Sequence, residues 1–245
     1  MKSELINKEK GLEDSYWWFV GRRSILERVL KRFAKRPRAA LDVGCGSGRN
    51  MQLLSKHCDW VMGLDRSPAA LALAAARGFP VACADGHHLP LPDSTVDLVT
   101  AFDVIEHLDD DIQALEEFHR VLEPGGLLLV TVPAYRFLWS EHDEALMHRR
   151  RYVASELHAK LTRCKFRVLK RSYAVFFPFL PIVAYRLFRG VFPKDAFAPK
   201  ASHVMLPKVF NNLLIMMLKI EAWMMGAIDL PFGTSIVVLA QKMEA

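Results

Sequence analysis

Residues 41–50 read LDVGCGSGRN. Apolar residues lead in, glycines alternate at Gly44, Gly46 and Gly48, and the helix-forming run RNMQLL follows. A turn of this kind between a strand and a helix brings backbone N–H groups and the positive end of the helix against a ligand. A dinucleotide fingerprint would space its glycines GxGxxG, but the spacing here is GxGxG and Arg49 stands where the third glycine would fall. No lysine follows the turn, which excludes a triphosphate cradle of the GKS/T type.

Working outward, strands and helices alternate. AALDVG is a strand, RNMQLLSKH a helix, WVMGLD a second strand, and SPAALALAAARG a helix with Ser67 as cap, Pro68 in its first turn and Gly78 as stop. PVACAD and VDLVTAFDV read as strands three and four. DDDIQALEEFHRVLEPGG reads as a helix with aspartates at its positive end, and LLLVTVPA as strand five. Upstream, Ile25, Val29, Leu30 and Phe33 recur at helical spacing, which predicts an amphipathic helix over 21–35 closed by Pro37. Downstream, ASELHAKLTRCKF is a helix, RVLKRSYAVFF a strand and GTSIVVLAQK a last strand. The alternation implies an α/β protein with a mostly parallel sheet covered on both faces.

The chain has 245 residues and is 51% hydrophobic, a globular composition. Its net charge of +6 is unevenly spread. Residues 39–133 carry 14 acids against 5 lysines and arginines, whereas residues 1–38 carry 5 against 11 and residues 134–173 carry 4 against 10. Such basic flanks suit an anionic acceptor, a membrane surface or RNA. Cys45, Cys58, Cys83 and Cys164 have no CxxC spacing, so reduced thiols are expected, without a zinc or disulfide framework. The opening MKSELINKEKGLEDSYWW lacks the apolar run of a secretory signal. These features set a cytoplasmic expectation, with peripheral membrane contact left open.

LDVGCGSGRN, GLDRSP, CADGHHLPLPDSTVDLVTAFDVIEHLDD and RVLEPGGLLLVTVP, in that order, resemble the successive motifs of the class I S-adenosylmethionine-dependent methyltransferases. They are most similar to the bacterial subgroup that acts on small and lipid-like molecules, including quinone-pathway enzymes. The closing LPFGTSIVVLAQK is similar to that fold's antiparallel last strand. The resemblance implies a Rossmann-like seven-stranded, mostly parallel sheet, with S-adenosyl-L-methionine as cofactor. It implies a cofactor site at Asp42, Gly44, Cys45, Gly46 and Gly48, at Asp65 and Arg66 for the ribose, at Asp85 and Gly86 near the adenine, and at Phe102 closing the fourth strand. Cys45 would contribute its backbone.

The sulfonium methyl is already electrophilic, so the protein must align a nucleophile, exclude water and remove a proton. The base is expected at the end of the fourth strand, where Asp103, Glu106 and His107 stand at i, i+3 and i+4. His107 is the first candidate because its free pKa is near neutrality. Glu106 is its companion. A divalent ion on Asp103, Glu106 and His107 is the alternative use of the same residues, and no metal is assigned. After the fifth strand comes LWSEHDEALMHRRRY, in which a His142–Asp143 pair could orient an imidazole. His148, Arg149, Arg151 and Tyr152 in the same stretch are expected to hold an anionic acceptor.

Tyr16, Trp17 and Trp18 with Arg22 and Arg23 place a helical lid over residues 1–37. The core is then 38–173 with 229–245, and 174–228 is an apolar helical insertion that covers substrate or touches membrane. Pro178, Pro181 and Arg186, then Lys208, Lys219 and Glu221, interrupt the insertion's apolar runs, so neither is expected to span a bilayer. A small lipid-like or anionic acceptor is the expected substrate. An RNA or protein methyltransferase, or an inactive cofactor-binding protein, are the competing readings. No RNA-binding module and no NPPY-type motif is visible, so no nucleic-acid partner is expected.

Overall fold

A computed structural model describes residues 11–189 and 206–243. The parts of the expected lid, insertion and core that fall on 1–10, 190–205 and 244–245 lie outside the described residues.

Seven strands form one sheet in the order β3-β2-β1-β4-β5-β7-β6. They are β1 (Ala39–Val43), β2 (Trp60–Asp65), β3 (Val81–Cys83), β4 (Val96–Phe102), β5 (Leu122–Pro133), β6 (Phe166–Ala174) and β7 (Ser235–Lys242). The first five pair in parallel, and β7 runs antiparallel to both β5 and β6. The expected α/β sheet with a reversed last strand is therefore present. Strand order reverses between β1 and β4, the place where open α/β sheets bind ligands beyond the strands' carboxyl ends.

The strands are apolar on both faces because helices cover both. Along β7, Ile236, Val238 and Ala240 join one core while Val237 and Leu239 join the other. The helices are α1 (Trp17–Phe33), α2 (Arg49–Leu54), α3 (Pro68–Ala76), α4 (Asp111–Val121), α5 (Glu141–Ala145), α6 (Ala154–Arg163), α7 (Phe179–Arg189) and α8 (Lys208–Met225). Leu115 and Phe118 of α4 and Leu157 and Leu161 of α6 pack in the first core. Ile25 and Leu26 of α1, Met51 of α2, Leu71 of α3, and Leu218 and Met225 of α8 pack in the second.

Local chemistry fixes the boundaries. Ser67 accepts the Ala70 N–H to cap α3, and Asp110 accepts from Ile112 and Gln113 to cap α4. The first helix starts at Trp17, a turn earlier than the apolar spacing alone indicates, because aromatic residues there also pack inward. The helix expected up to Gly126 ends at Val121, and the chain from Leu122 onward already belongs to β5. The third strand is only Val81–Cys83, so Asp85 lies beyond its end.

Candidate active site

The glycine turn follows β1. Gly44 and Gly46 have φ of +69° and +54°, a left-handed backbone that favours glycine. A Cβ at Gly44 would come within 2.5 Å of Val104 Cγ2, whereas at Gly46 it would project into open space. That open space belongs to a cavity of about 1600 Å³, lined by Gly44, Cys45, Gly46, Asp65, Arg66, Gly86 and Phe102 among others. Asp65 Oδ2 accepts the Gly46 N–H at 2.9 Å and Oδ1 accepts the Ser67 N–H at 2.8 Å. A carboxylate is thereby fixed on the cavity wall beside a bare backbone turn. This is a cradle that suits a nucleoside with a hydroxylated sugar.

Three of the expected cofactor residues lie off the cavity wall. Asp42 is buried beneath the cavity instead of lining it. It accepts the Thr100 hydroxyl at 2.6 Å, and burial pushes its carboxyl up to about 7. Gly48 does not line the cavity either and serves as the N-cap of α2. Asp85 is held at 2.5 Å by the His87 ring and 3.3 Å from Arg66, while its neighbours Ala84 and Gly86 form the wall.

The N-terminal segment closes one side. Tyr16, Trp17, Trp18, Arg22 and Arg23 all line the cavity. Glu13 straps this segment to the glycine turn by accepting from the Ser47 hydroxyl and from Arg77 at 2.9 Å. Asn211 of α8 accepts the Trp17 N–H at 2.9 Å and donates to the Ser15 carbonyl at 2.8 Å, which ties α8 to the same segment.

Beyond β4 the chain turns through Ile105–His107, and the expected trio does not stay together. Asp103, at φ 57°, pairs with Arg22 and accepts the Thr131 hydroxyl at 3.0 Å. Glu106 and His107 instead meet His148, their donor atoms lying within 4.8 Å of one another, a set that could also gather on a divalent cation. Glu106 is fully buried and among the described residues neither carboxylate oxygen has a hydrogen-bond partner, and burial and Asp103 raise its pKa well above the usual range. The rings of His107 and His148 meet edge-on, 4.7 Å between centroids. Burial, and the charge His148 would carry, push His107 down to about 4.

Asp143 does orient an imidazole, but it is His148 rather than His142. Asp143 is fully buried and takes His148 Nδ1 at 2.9 Å. Arg151 Nε and Nη2 reach it at 2.7 and 3.0 Å, and the Ser140 N–H at 2.9 Å. The hydrogen bonds from His148, Arg151 and Ser140 hold its carboxyl far below the usual range. His142 lines the cavity nearby.

Of the expected anion-binding residues, His148, Arg149 and Arg151 line the cavity and Tyr152 does not. Arg151 is buried, with its remaining donor on the Ala134 carbonyl at 2.9 Å. Tyr152 is fully buried in the core and donates to Asp111 at 2.7 Å, away from the cavity. Arg149 reaches the His107 carbonyl at 3.1 Å and Asp109 at 2.6 Å. The basic run thus mainly pins the 105–111 segment. The cation that sequence reading passed over is Arg186, which lines the cavity from α7. In the sequence it interrupts an apolar run. The signal available was a charge recurring with Ile182 and Tyr185 on one helical face.

Apart from Arg186, the α7 and α8 sides of the wall are apolar. Phe177, Ile182 and Tyr185 come from the α7 side, and Phe210, Leu214 and Met217 from α8.

This combination of a reversed-order sheet, a glycine turn and an acid at the end of β2 defines a class of proteins that bind nucleoside-type ligands at the sheet's carboxyl edge. Residues 41–130 match a family model described as a methyltransferase domain. A relative from Mycolicibacterium smegmatis, named a probable S-adenosylmethionine-dependent methyltransferase, is 37% identical over 162 residues, covering 64% of this chain and 62% of the relative. The demethylmenaquinone methyltransferase of Corynebacterium urealyticum is 31% identical over 108 residues, covering 42% of this chain and 47% of that protein. The chain thus spans under two thirds of the length of these relatives. A methyltransferase structure from Thermotoga maritima aligns with a TM-score of 0.62 at 18% identity, covering 98% of this chain and 97% of that one. The [4+2]-cyclase SpnF aligns at 0.57 and 21%, covering 89% and 82%. Such structural likeness establishes the fold alone.

Proposed function

We propose that this protein binds S-adenosylmethionine and transfers its methyl group to a small, lipid-like acceptor at a membrane surface. One observation carries the reading. A single cavity is walled by the glycine turn with Asp65 and also by the apolar faces of α7 and α8. Its volume of about 1600 Å³ exceeds the 300–1,000 Å³ of ordinary ligand pockets, which leaves room for two molecules side by side.

When bound, the cofactor supplies an electrophilic methyl group on a sulfonium. Gly44, Gly46 and Asp65 would hold it, with Arg66, Gly86 and Phe102 around it. The proton acceptor is assigned to His148. Its Nδ1 is fixed by Asp143, which leaves Nε2 for the acceptor's proton. His107, held near 4, is neutral at physiological pH and a weak proton acceptor, so it serves as a packed partner of His148. The aromatic start of α1 with Tyr16, together with α7 and α8, excludes water from the cavity, so the lid and insertion act as one cover.

The outer face of α8 supports the membrane element. Val209, Leu213, Met216, Ile220 and Trp223 are exposed along one stripe, flanked by the exposed Lys208 and Lys219. No helix among the described residues is long and apolar enough to cross a bilayer, so contact would be interfacial.

Incubation of the protein with isotopically labelled methyl donor and fractionated cell extract, read by mass spectrometry, tests the reading. Label in a lipid-phase product is the expected result. Label confined to RNA or protein overturns the acceptor class. Cofactor binding with no transfer to any fraction overturns the enzyme reading.

A further inference from the structure

Arg186 presents an unusual electrostatic situation. It sits on α7 one turn after Ile182 and lines the cavity with Ile182 and Tyr185. Among the described residues its guanidinium makes no hydrogen bond, and Nη1 is buried without a hydrogen-bond partner. The nearest carboxylate oxygen is Asp143 Oδ2, 3.8 Å away and beyond hydrogen-bond reach. That oxygen already accepts from Arg151 Nη2 at 3.0 Å and from the Ser140 N–H at 2.9 Å. One carboxylate is thus shared by two guanidiniums, and the closer one takes both of its oxygens.

A largely buried cation held beyond hydrogen-bond reach of its counter-ion is costly, and guanidinium N–H groups are seldom left without acceptors. Burial and the Arg151 charge depress Arg186 to about 10, in keeping with a cation whose compensation is incomplete. The Arg186 guanidinium thus offers a planar, charged fork suited to a carboxylate or phosphate. Around it the wall is Phe177, Ile182 and Tyr185, and from α8 Phe210, Leu214 and Met217.

We propose that Arg186 anchors the acceptor, and that the acceptor is an anionic amphiphile whose oxyanion sits on this guanidinium while its apolar body lies between α7 and α8. This rests on the reading of the cavity as a two-substrate site and narrows the acceptor class within it.

The test uses dodecanoate, dodecyl phosphate and dodecanol as probes below their micellar concentrations. Binding is followed by the fluorescence of the cavity tryptophans Trp17, Trp18 and Trp139. The wild type should bind one or both anions at least tenfold more tightly than the alcohol, and the stronger anion identifies the headgroup. Arg186→Gln should abolish that preference, and Arg186→Lys should retain part of it. A residue that only supported Asp143 would lower stability without changing headgroup preference. Equal binding of the three probes, no saturable binding of any, or a preference intact in a folded Arg186→Gln overturns the proposal. Calorimetric titration with S-adenosylmethionine keeps the two readings separate. It should give the same affinity in wild type and Arg186→Gln, whereas no cofactor binding alongside an intact, Arg186-dependent preference overturns methyl transfer and leaves the anion site standing.

Discussion

Asp65 Oδ2 accepts the backbone N–H of Gly46 at 2.9 Å, so the end of β2 and the turn after β1 form one hydrogen-bonded unit facing the cavity. Replacing the carboxylate removes both the turn's brace and the acceptor offered to a sugar hydroxyl. Asp65→Ala is expected to weaken S-adenosylmethionine binding by more than tenfold, in line with roughly 1.5–3 kcal/mol for a charged hydrogen bond. Calorimetry checks this, and unchanged affinity in a folded variant removes Asp65 from the site.

His148, positioned by Asp143, carries the base assignment. His148→Gln should leave cofactor affinity within about twofold and lower turnover by roughly 10²-fold or more, the usual weight of a general base. His107→Gln should lower it less. A larger loss at position 107 in single-turnover assays would return the role to His107.

Asp143 is held far below its unfolded pKa by His148, Arg151 and Ser140. An acid depressed in the native state stabilises it above the unfolded value of about 3.9, and that contribution is lost as pH falls through the folded value. Melting temperature should therefore fall below about pH 4 in the wild type. Asp143→Asn should start lower, because an unpaired Arg151 is left buried, and should show a shallower acid limb.

Glu221 on α8 has the opposite sign. It is fully buried and accepts the N–H groups of Val175 and of Phe176, the latter at 2.8 Å, where the chain leaves β6 with Val175 at a φ of +62°. Burial pushes its carboxyl up to about 7 from 4.5. The native state then holds a proton that the unfolded chain releases, so stability should decline as pH rises from about 4.5 to 7, by roughly 3 kcal/mol at most. Urea unfolding across this range should show the slope in wild type and a shallower one in Glu221→Gln, because Asp42 and Glu106 are raised as well.

Gly21 allows α1 and α8 to meet closely. A Cβ there would lie 2.1 Å from Leu218 Cδ1 and 2.7 Å from its Cβ. In an open helix Gly→Ala stabilises by up to about 1 kcal/mol, but overpacking costs about 1–3 kcal/mol and should prevail here. Gly21→Ala should lower the melting temperature, and adding Leu218→Ala should recover part of the loss.

The sheet was legible because alternating apolar strands and well-capped helices follow local rules, and because the glycine turn carries its backbone requirement in its residue types. The placement of Asp65, Gly44 and Gly46 beside one another was readable for the same reason. Pairings between distant segments were not. Nothing local in LWSEHDEALMHRRRY indicates that Asp143 skips its neighbour for His148, or that Arg151 and Tyr152 turn inward. Those outcomes depend on how the segment folds back over 105–111. Arg186 was hidden because its meaning comes from the carboxylate it fails to reach, a relationship set by α7 packing beside α5.

The most direct test of the central claim is calorimetric titration of S-adenosylmethionine into the wild-type protein. Saturable binding at one site per chain, competed by S-adenosylhomocysteine, is the predicted result. Heats no larger than dilution, from protein shown to be folded by its melting transition, would contradict the reading of this cavity as a methyl-donor site.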